Sequence, residues 1–181
     1  MLSSTERELL LSRIRDIPDW PEPGVVFKDI TPLLLDATAF ATAIDALVGT
    51  ARDQTGTSRI DKVVGIEARG FILAAPVAHV LRAGLVPLRK HGKLPFDTRS
   101  VSYALEYGEA TIEVHSDAFG PGDRVLVVDD VLATGGTVQA AAELVEAAGA
   151  DVVAVSVLIE LGFLAGGDRL AGLDVHALLR L

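Results

Sequence analysis

The chain of 181 residues contains no cysteine, which excludes a disulfide framework, a thiolate zinc site and a thiol nucleophile and suits a reducing compartment. It lacks any apolar run near the ~20 residues that span a bilayer, because Arg, Asp, Glu or Gly interrupts every hydrophobic stretch. Basic charge is also short: 16 Lys and Arg against 25 Asp and Glu leave a net charge of −9, the wrong sign for holding nucleic acid by charge. No internal repeat or low-complexity tract is present. Nor is there a basic region followed by an apolar segment at the N-terminus; residues 1–16 instead mix Glu6, Arg7, Glu8, Arg13, Arg15 and Asp16 in an amphipathic pattern, unlike a signal peptide. The expectation is a cytoplasmic protein with no membrane or nucleic-acid partner.

Half of the residues are apolar, enough to bury one sizeable core, and the length predicts a single domain over 1–181. Ser3 with Glu6 reads as a capping box opening a helix that ends before Pro18. The stretch from Pro18 to Gly24 is rich in breakers, so residues 1–35 are read as an N-terminal arm or hood. Val25–Ile30 reads as a short strand or extended loop, and Asp36 caps a helix running to about Ala51. From residue 60 onward β-branched runs alternate with helical ones: strands at Lys62–Ile66, Leu85–Leu88, Arg124–Val128 and Val152–Ile159, helices over Phe71–Leu81 and around Val138–Ala148. Such alternation predicts an α/β fold, a mostly parallel sheet flanked by helices and open at the carboxyl ends of its strands. Residues 89–108 break the pattern. They are polar, carry Gly92, Pro95 and Gly108, and read as a flexible loop.

The most informative stretch is Arg124–Thr137. A strand runs into Asp129-Asp130, then Ala133-Thr134-Gly135-Gly136-Thr137 leads into a helix. Glycines allow close backbone approach, and successive N–H groups at a helix start attract an anion. Thr134 and Thr137 add hydroxyl donors, so the loop suits a phosphate monoester. The carboxylates before it would repel a phosphate. They call for ribose hydroxyls or a magnesium ion, unless they merely cap a turn. Two other phosphate-binding patterns, G-x-x-x-x-G-K-[ST] and a post-strand G-x-G-x-x-G, are absent.

That stretch resembles the 5-phosphoribosyl pyrophosphate (PRPP) motif of the type I phosphoribosyltransferases. Val25–Pro32, Gly65–Phe71, Arg89–Pro95 and Leu105–Gly108 follow the order and spacing of the adenine phosphoribosyltransferases among them, and the resemblance runs from about Ile14 to Leu161. It implies the type I fold with a small N-terminal hood and a mobile lid over 89–108, and an enzyme joining adenine to PRPP to give AMP and pyrophosphate. Magnesium would travel with PRPP, with no separate protein metal site, since His79, His115 and His176 lack ligand spacing. A homodimer is implied as well.

The same resemblance assigns the residues. Asp129 and Asp130 would meet the ribose hydroxyls, and Ala133, Thr134, Gly135, Gly136 and Thr137 the 5′-phosphate. The Glu67–Gly70 turn would be the pyrophosphate loop; there Arg69 offers a forked donor suited to an anion, its bland alternative being a surface ion pair. Arg89, Lys90 and Lys93 would belong to the lid, where residues 82–99 carry a local net charge of +4, otherwise simply a solvated charge run. Tyr103 is a further lid contact. Glu106 would be the catalytic carboxylate, stabilising positive charge on the sugar carbon or managing a proton on adenine, unless it is only a surface acid. Phe27 would stack on the purine while backbone groups of Val26 and Lys28 read its edge; many relatives carry Arg in place of Lys28. Two competing functions remain: transfer to another purine base, and a PRPP-binding regulator without catalysis.

Overall fold

The computed structural model describes residues 2–51, 59–104 and 109–181. Its N-terminal part is built as the local signals demand. The side chain of Ser3 accepts from the Glu6 N–H and the Glu6 carboxylate accepts from the Ser3 N–H, opening α1 (Ser4–Leu11). The chain then forms β1 (Arg15–Pro18), which pairs antiparallel with β2 (Val26–Asp29) as a separate two-stranded sheet. A short α2 (Thr31–Leu35) follows, and Asp36 caps α3 (Ala37–Thr50) by accepting from the N–H groups of Thr38 and Ala39 at 3.0 Å each.

The remaining strands are β3 (Lys62–Ile66), β4 (Gly84–Lys90), β5 (Thr98–Ala104), β6 (Glu109–His115), β7 (Arg124–Leu132), β8 (Asp151–Glu160) and β9 (Val175–Arg180). They make one seven-stranded sheet in the order β5-β6-β4-β3-β7-β8-β9. Pairings from β4 through β9 are parallel, whereas β6 joins β4, and β5 joins β6, antiparallel. Side-chain alternation divides the core. Val63, Leu126 and Val128 face one cluster with α3 and α4 (Gly70–Leu81), while Val64, Val125 and Val127 face the other with α5 (Gly136–Ala147). This is the period-two signature of a strand buried on both sides.

The chain departs β3 through α4 to reach β4 on one side, whereas β7 lies on the other side of β3. A crevice opens at the carboxyl ends of strands where the winding reverses, and that is where an open α/β sheet binds ligands.

Two sequence expectations need correction. The strand after Arg124 does not stop at Val128: β7 continues through the two acids to Leu132, paired with β8 as far as Leu132↔Glu160. Asp has low strand propensity, but a neighbouring strand that supplies hydrogen-bond partners overrides it. In its described part, residues 89–104, the polar stretch read as a loop is not irregular throughout either. Thr98–Ala104 is a strand in register with β6, from Thr98↔His115 to Ala104↔Glu109, and its half-buried Val101 and Tyr103 pack on the α5 side of the core. Alternating polar residues there mark the solvent face of a sheet edge rather than a loop.

Candidate active site

A cavity of about 610 Å³ occupies the crevice and is lined by Glu67, Arg69, Lys90, Asp129, Asp130 and Thr137 among others. Beside it a smaller cleft runs along Asp129 and the loop from Val131 to Val138. The loop owes its shape to glycines without room for a side chain. Gly135 precedes α5 with φ +82°, and a Cβ there would lie 2.6 Å from the Gly166 carbonyl oxygen. Gly166 in turn would place a Cβ 2.1 Å from the Ala133 oxygen. The segment after β8 therefore clamps the back of the loop, leaving the first-turn N–H groups of α5, which have no intrahelical partner, to face a ligand. Tyr103 reaches over from β5, its hydroxyl 2.9 Å from Thr137 Oγ1.

Asp129 and Asp130 sit beneath this loop. Burial, and then the charge of Asp130, holds the Asp129 carboxyl well above the usual range. Burial also raises Asp130, opposed by the Arg69 guanidinium. Arg69 Nε lies 2.8 Å from Asp130 Oδ2, an ionic contact whose N–H is not aligned as a hydrogen bond, so that buried oxygen keeps acceptor capacity. Asp129 Oδ1 accepts from the Asp130 N–H at 2.9 Å. Gly70 makes room for this: a Cβ there would come within 2.8 Å of Asp129 Oδ1.

Arg69 also reaches the hood. Nη1 donates to the Lys28 carbonyl at 3.3 Å, and Cζ lies 4.5 Å from the centre of the Phe27 ring, which Trp20 meets edgewise at 4.4 Å. The Lys28 ammonium is occupied elsewhere, 2.7 Å from Asp16 Oδ1 on β1, so the main chain of Lys28, not its side chain, approaches the site. Val26 is 49% exposed and is not among the residues lining the cavity.

On the opposite wall, Arg89 and Lys93 converge on a residue that the sequence reading left without a role. Glu67 Oε1 accepts from Lys93 Nζ at 2.5 Å, while Oε2 accepts from the Lys90 N–H at 2.9 Å and from Arg89 Nε at 3.4 Å. Burial works against its charge, but Lys93 and the Lys90 N–H outweigh that and keep the carboxyl below its ordinary value. A second unforeseen acid, Glu113 on β6, is buried and accepts from the Lys93 and Leu94 N–H groups at 3.0 and 3.2 Å, fixing the turn after β4. Neither Glu113 nor the Gly166 clamp had a sequence signal beyond residue type. Glu106 lies outside the described residues.

Chemically, the crevice offers a phosphate cup, two carboxylates for hydroxyl groups or a cation, and a cation-lined wall for a second anion. An aromatic ring lies at the hood. No described cluster of three or more His, Asp or Glu side chains could hold a metal ion alone.

Comparison with known proteins meets this arrangement from the other side. Residues 33–172 match the phosphoribosyl transferase domain family. The adenine phosphoribosyltransferase of Acidothermus cellulolyticus is 65% identical over 174 residues, covering 96% of each chain; that of Streptomyces coelicolor is 62% identical over 178 residues, covering 95% of this chain and 94% of its own. The crystal structure of the Rhodothermus marinus adenine phosphoribosyltransferase superposes with a TM-score of 0.93 at 53% identity, covering 99% of this chain and all of the other. The Saccharomyces cerevisiae enzyme, solved with adenine and an imino-altritol bisphosphate, gives 0.92 at 34% identity, covering 98% of this chain and 100% of its own. Because the likeness extends across nearly the whole of both chains, the chain is a member of the adenine phosphoribosyltransferase family.

Proposed function

We propose that this chain transfers the 5-phosphoribosyl group of PRPP to adenine. The bond between the anomeric carbon and the pyrophosphate oxygen breaks, a bond from that carbon to an imidazole nitrogen of adenine forms, and the nitrogen gives up its proton; the products are AMP and pyrophosphate. One observation carries the reading: a single crevice joins the Ala133–Thr137 cup, the Asp129-Asp130 pair and the Arg69–Lys90 cationic wall. Their order matches a sugar bearing a 5′-phosphate, ribose hydroxyls and a pyrophosphate.

In this reading the N–H groups and hydroxyls of residues 133–137 hold the 5′-phosphate, and Asp129 and Asp130 accept from the ribose hydroxyls. Arg69, Arg89, Lys90 and Lys93 meet the pyrophosphate. Phe27 supports the base, whose edge meets the main chain at Val26 and Lys28. Glu106 supplies a carboxylate near the anomeric carbon, where positive charge develops as the bond to pyrophosphate breaks.

The hard oxygen donors of Asp129 and Asp130, one of them buried with acceptor capacity left, suit magnesium, which commonly binds one or two carboxylates together with substrate phosphates. The ion would neutralise charge on the departing pyrophosphate. A cytoplasmic homodimer completes the proposal: the absence of cysteine suits that compartment, and the dimer is what membership of the family implies.

Incubation with labelled adenine, PRPP and magnesium should yield AMP, with hypoxanthine and guanine competing poorly; a folded sample that makes none would overturn the assignment. Glu106→Ala should leave PRPP binding nearly intact while cutting turnover by about 100-fold, the lower end of what a positioned acid–base group supplies. Calorimetry alongside the rate assay separates the two effects.

A further inference from the structure

Arg69 and Lys90 line the pyrophosphate end of the crevice, Arg89 and Lys93 adjoin it through Glu67, and the protein's own carboxylates already engage three of these four cations. Arg69 is held at Asp130, and Arg89 and Lys93 both converge on Glu67. The Glu67 side chain is only 10% exposed, yet it lines the cavity. Its backbone is fixed, because its N–H donates to the Leu88 carbonyl at 3.0 Å and continues the β3–β4 ladder past Ile66. The partners are less confined: the Lys93 side chain is 47% exposed and that of Arg89 34%. A rooted anion therefore holds two cations on long, pivoting stems.

We propose that Glu67 is a positioning residue, an internal stand-in for pyrophosphate that holds Arg89 and Lys93 ready in the empty site, surrenders them to the incoming anion and reclaims them as pyrophosphate leaves. The inference rests on the transferase reading above. A carboxylate and a pyrophosphate oxygen are both acceptors for the same ammonium and guanidinium donors, so both cannot be fully served by one Lys93 Nζ. Exchange of one anion for the other keeps partly buried charges paired at both ends of the cycle, where an unpaired one would be expensive. Glu67 thus weakens pyrophosphate binding, which favours release of that product. A carboxylate that only braced the fold would leave pyrophosphate affinity unchanged on removal, or lower it.

The test is titration calorimetry of the full chain with magnesium pyrophosphate, together with product-inhibition kinetics. Glu67→Gln, which keeps the shape and the acceptor for the Lys90 N–H, should tighten pyrophosphate binding about tenfold, the weight of one charge-assisted contact, and lower the inhibition constant and the KM for PRPP in parallel. The gain must depend on Lys93: in a Lys93→Gln background the same change should tighten binding by no more than about twofold, the coupling expected of residues in contact. Should Glu67→Gln fail to fold, Glu67→Asp, too short to hold Lys93 and the Lys90 N–H together, must move affinity in the same direction. Unchanged or weaker pyrophosphate binding, or a gain equal in both backgrounds, would overturn the proposal. Wild-type protein that makes no AMP would instead defeat the transferase reading itself.

Discussion

Asp129 shows what the proposed binding site costs at the scale of one residue. Its carboxylate lies beside that of Asp130, is desolvated, and is held well above the usual range by burial and by that neighbour. An acid is kept there against the preference of the fold, a common mark of residues retained for function. Asp129→Asn preserves the oxygen that accepts from the Asp130 N–H and removes the like-charge repulsion. The variant should melt about 3 °C higher at neutral pH, for a gain of roughly 1 kcal/mol in a protein of this size, while binding PRPP more weakly. Differential scanning calorimetry and a PRPP titration on the same sample check both halves; a lower melting temperature would contradict the assignment. The sequence made this pair readable because two adjacent acids before a Gly-Gly loop are conspicuous. It did not show Glu67 or Glu113 at work, because their partners lie about 20 positions and more away along the chain and are brought to them only by the β3–β4 pairing for Glu67 and the β4–β6 pairing for Glu113.

At the scale of elements, the turn between β4 and β5 hangs on Glu113. Two backbone N–H groups and the His91 ring converge on that buried carboxylate. Glu113→Ala would leave the Lys93 and Leu94 N–H groups without their acceptor, and should cost about 3 kcal/mol, in the range for a broken buried charge network. The turn should become sensitive to limited proteolysis between residues 91 and 97 before the parallel strands are affected; cleavage no faster than in the wild type would count against this role. Elements with self-contained signals were legible. The Ser3–Glu6 capping box, the Asp36 cap and the Lys62–Ile66 run all depend on residues within a few positions of each other. Those that borrow their identity from neighbours were not: β5 exists because β6 pairs with it, and β7 outruns its apolar run because β8 continues alongside.

For the whole molecule, the net charge of −9 hides an uneven distribution. Several carboxylates are held below their ordinary range by the fold. Asp29 is lowered to about 2 by hydrogen bonds from Thr31 and then from Arg15, and Asp36 is lowered by the Ala39 N–H and Arg13. A depressed carboxyl binds fewer protons folded than unfolded. It therefore stabilises above the unfolded value near ~3.9, and that contribution is lost as pH falls through the folded value. Melting temperature should drop between pH 4 and pH 2, and Asp29→Asn should flatten the slope; thermal scans at half-unit intervals would show it, and an unchanged slope would refute the link between the two hood strands and acid stability. The α/β class and the crevice at the strand ends were accessible from alternation alone, whereas the antiparallel edge β5-β6 was not.

The Arg69 guanidinium touches the Asp130 carboxylate, the Lys28 carbonyl and the face of Phe27 at once. It is a shared joint between the half of the crevice assigned to the sugar and the half assigned to the base. Whatever draws it toward one half changes the other, and thermodynamic reciprocity then requires the influence to run equally in both directions. On the assignments proposed above, adenine and PRPP should therefore not bind as independent guests, and titrating each substrate in the presence and absence of the other should give different affinities.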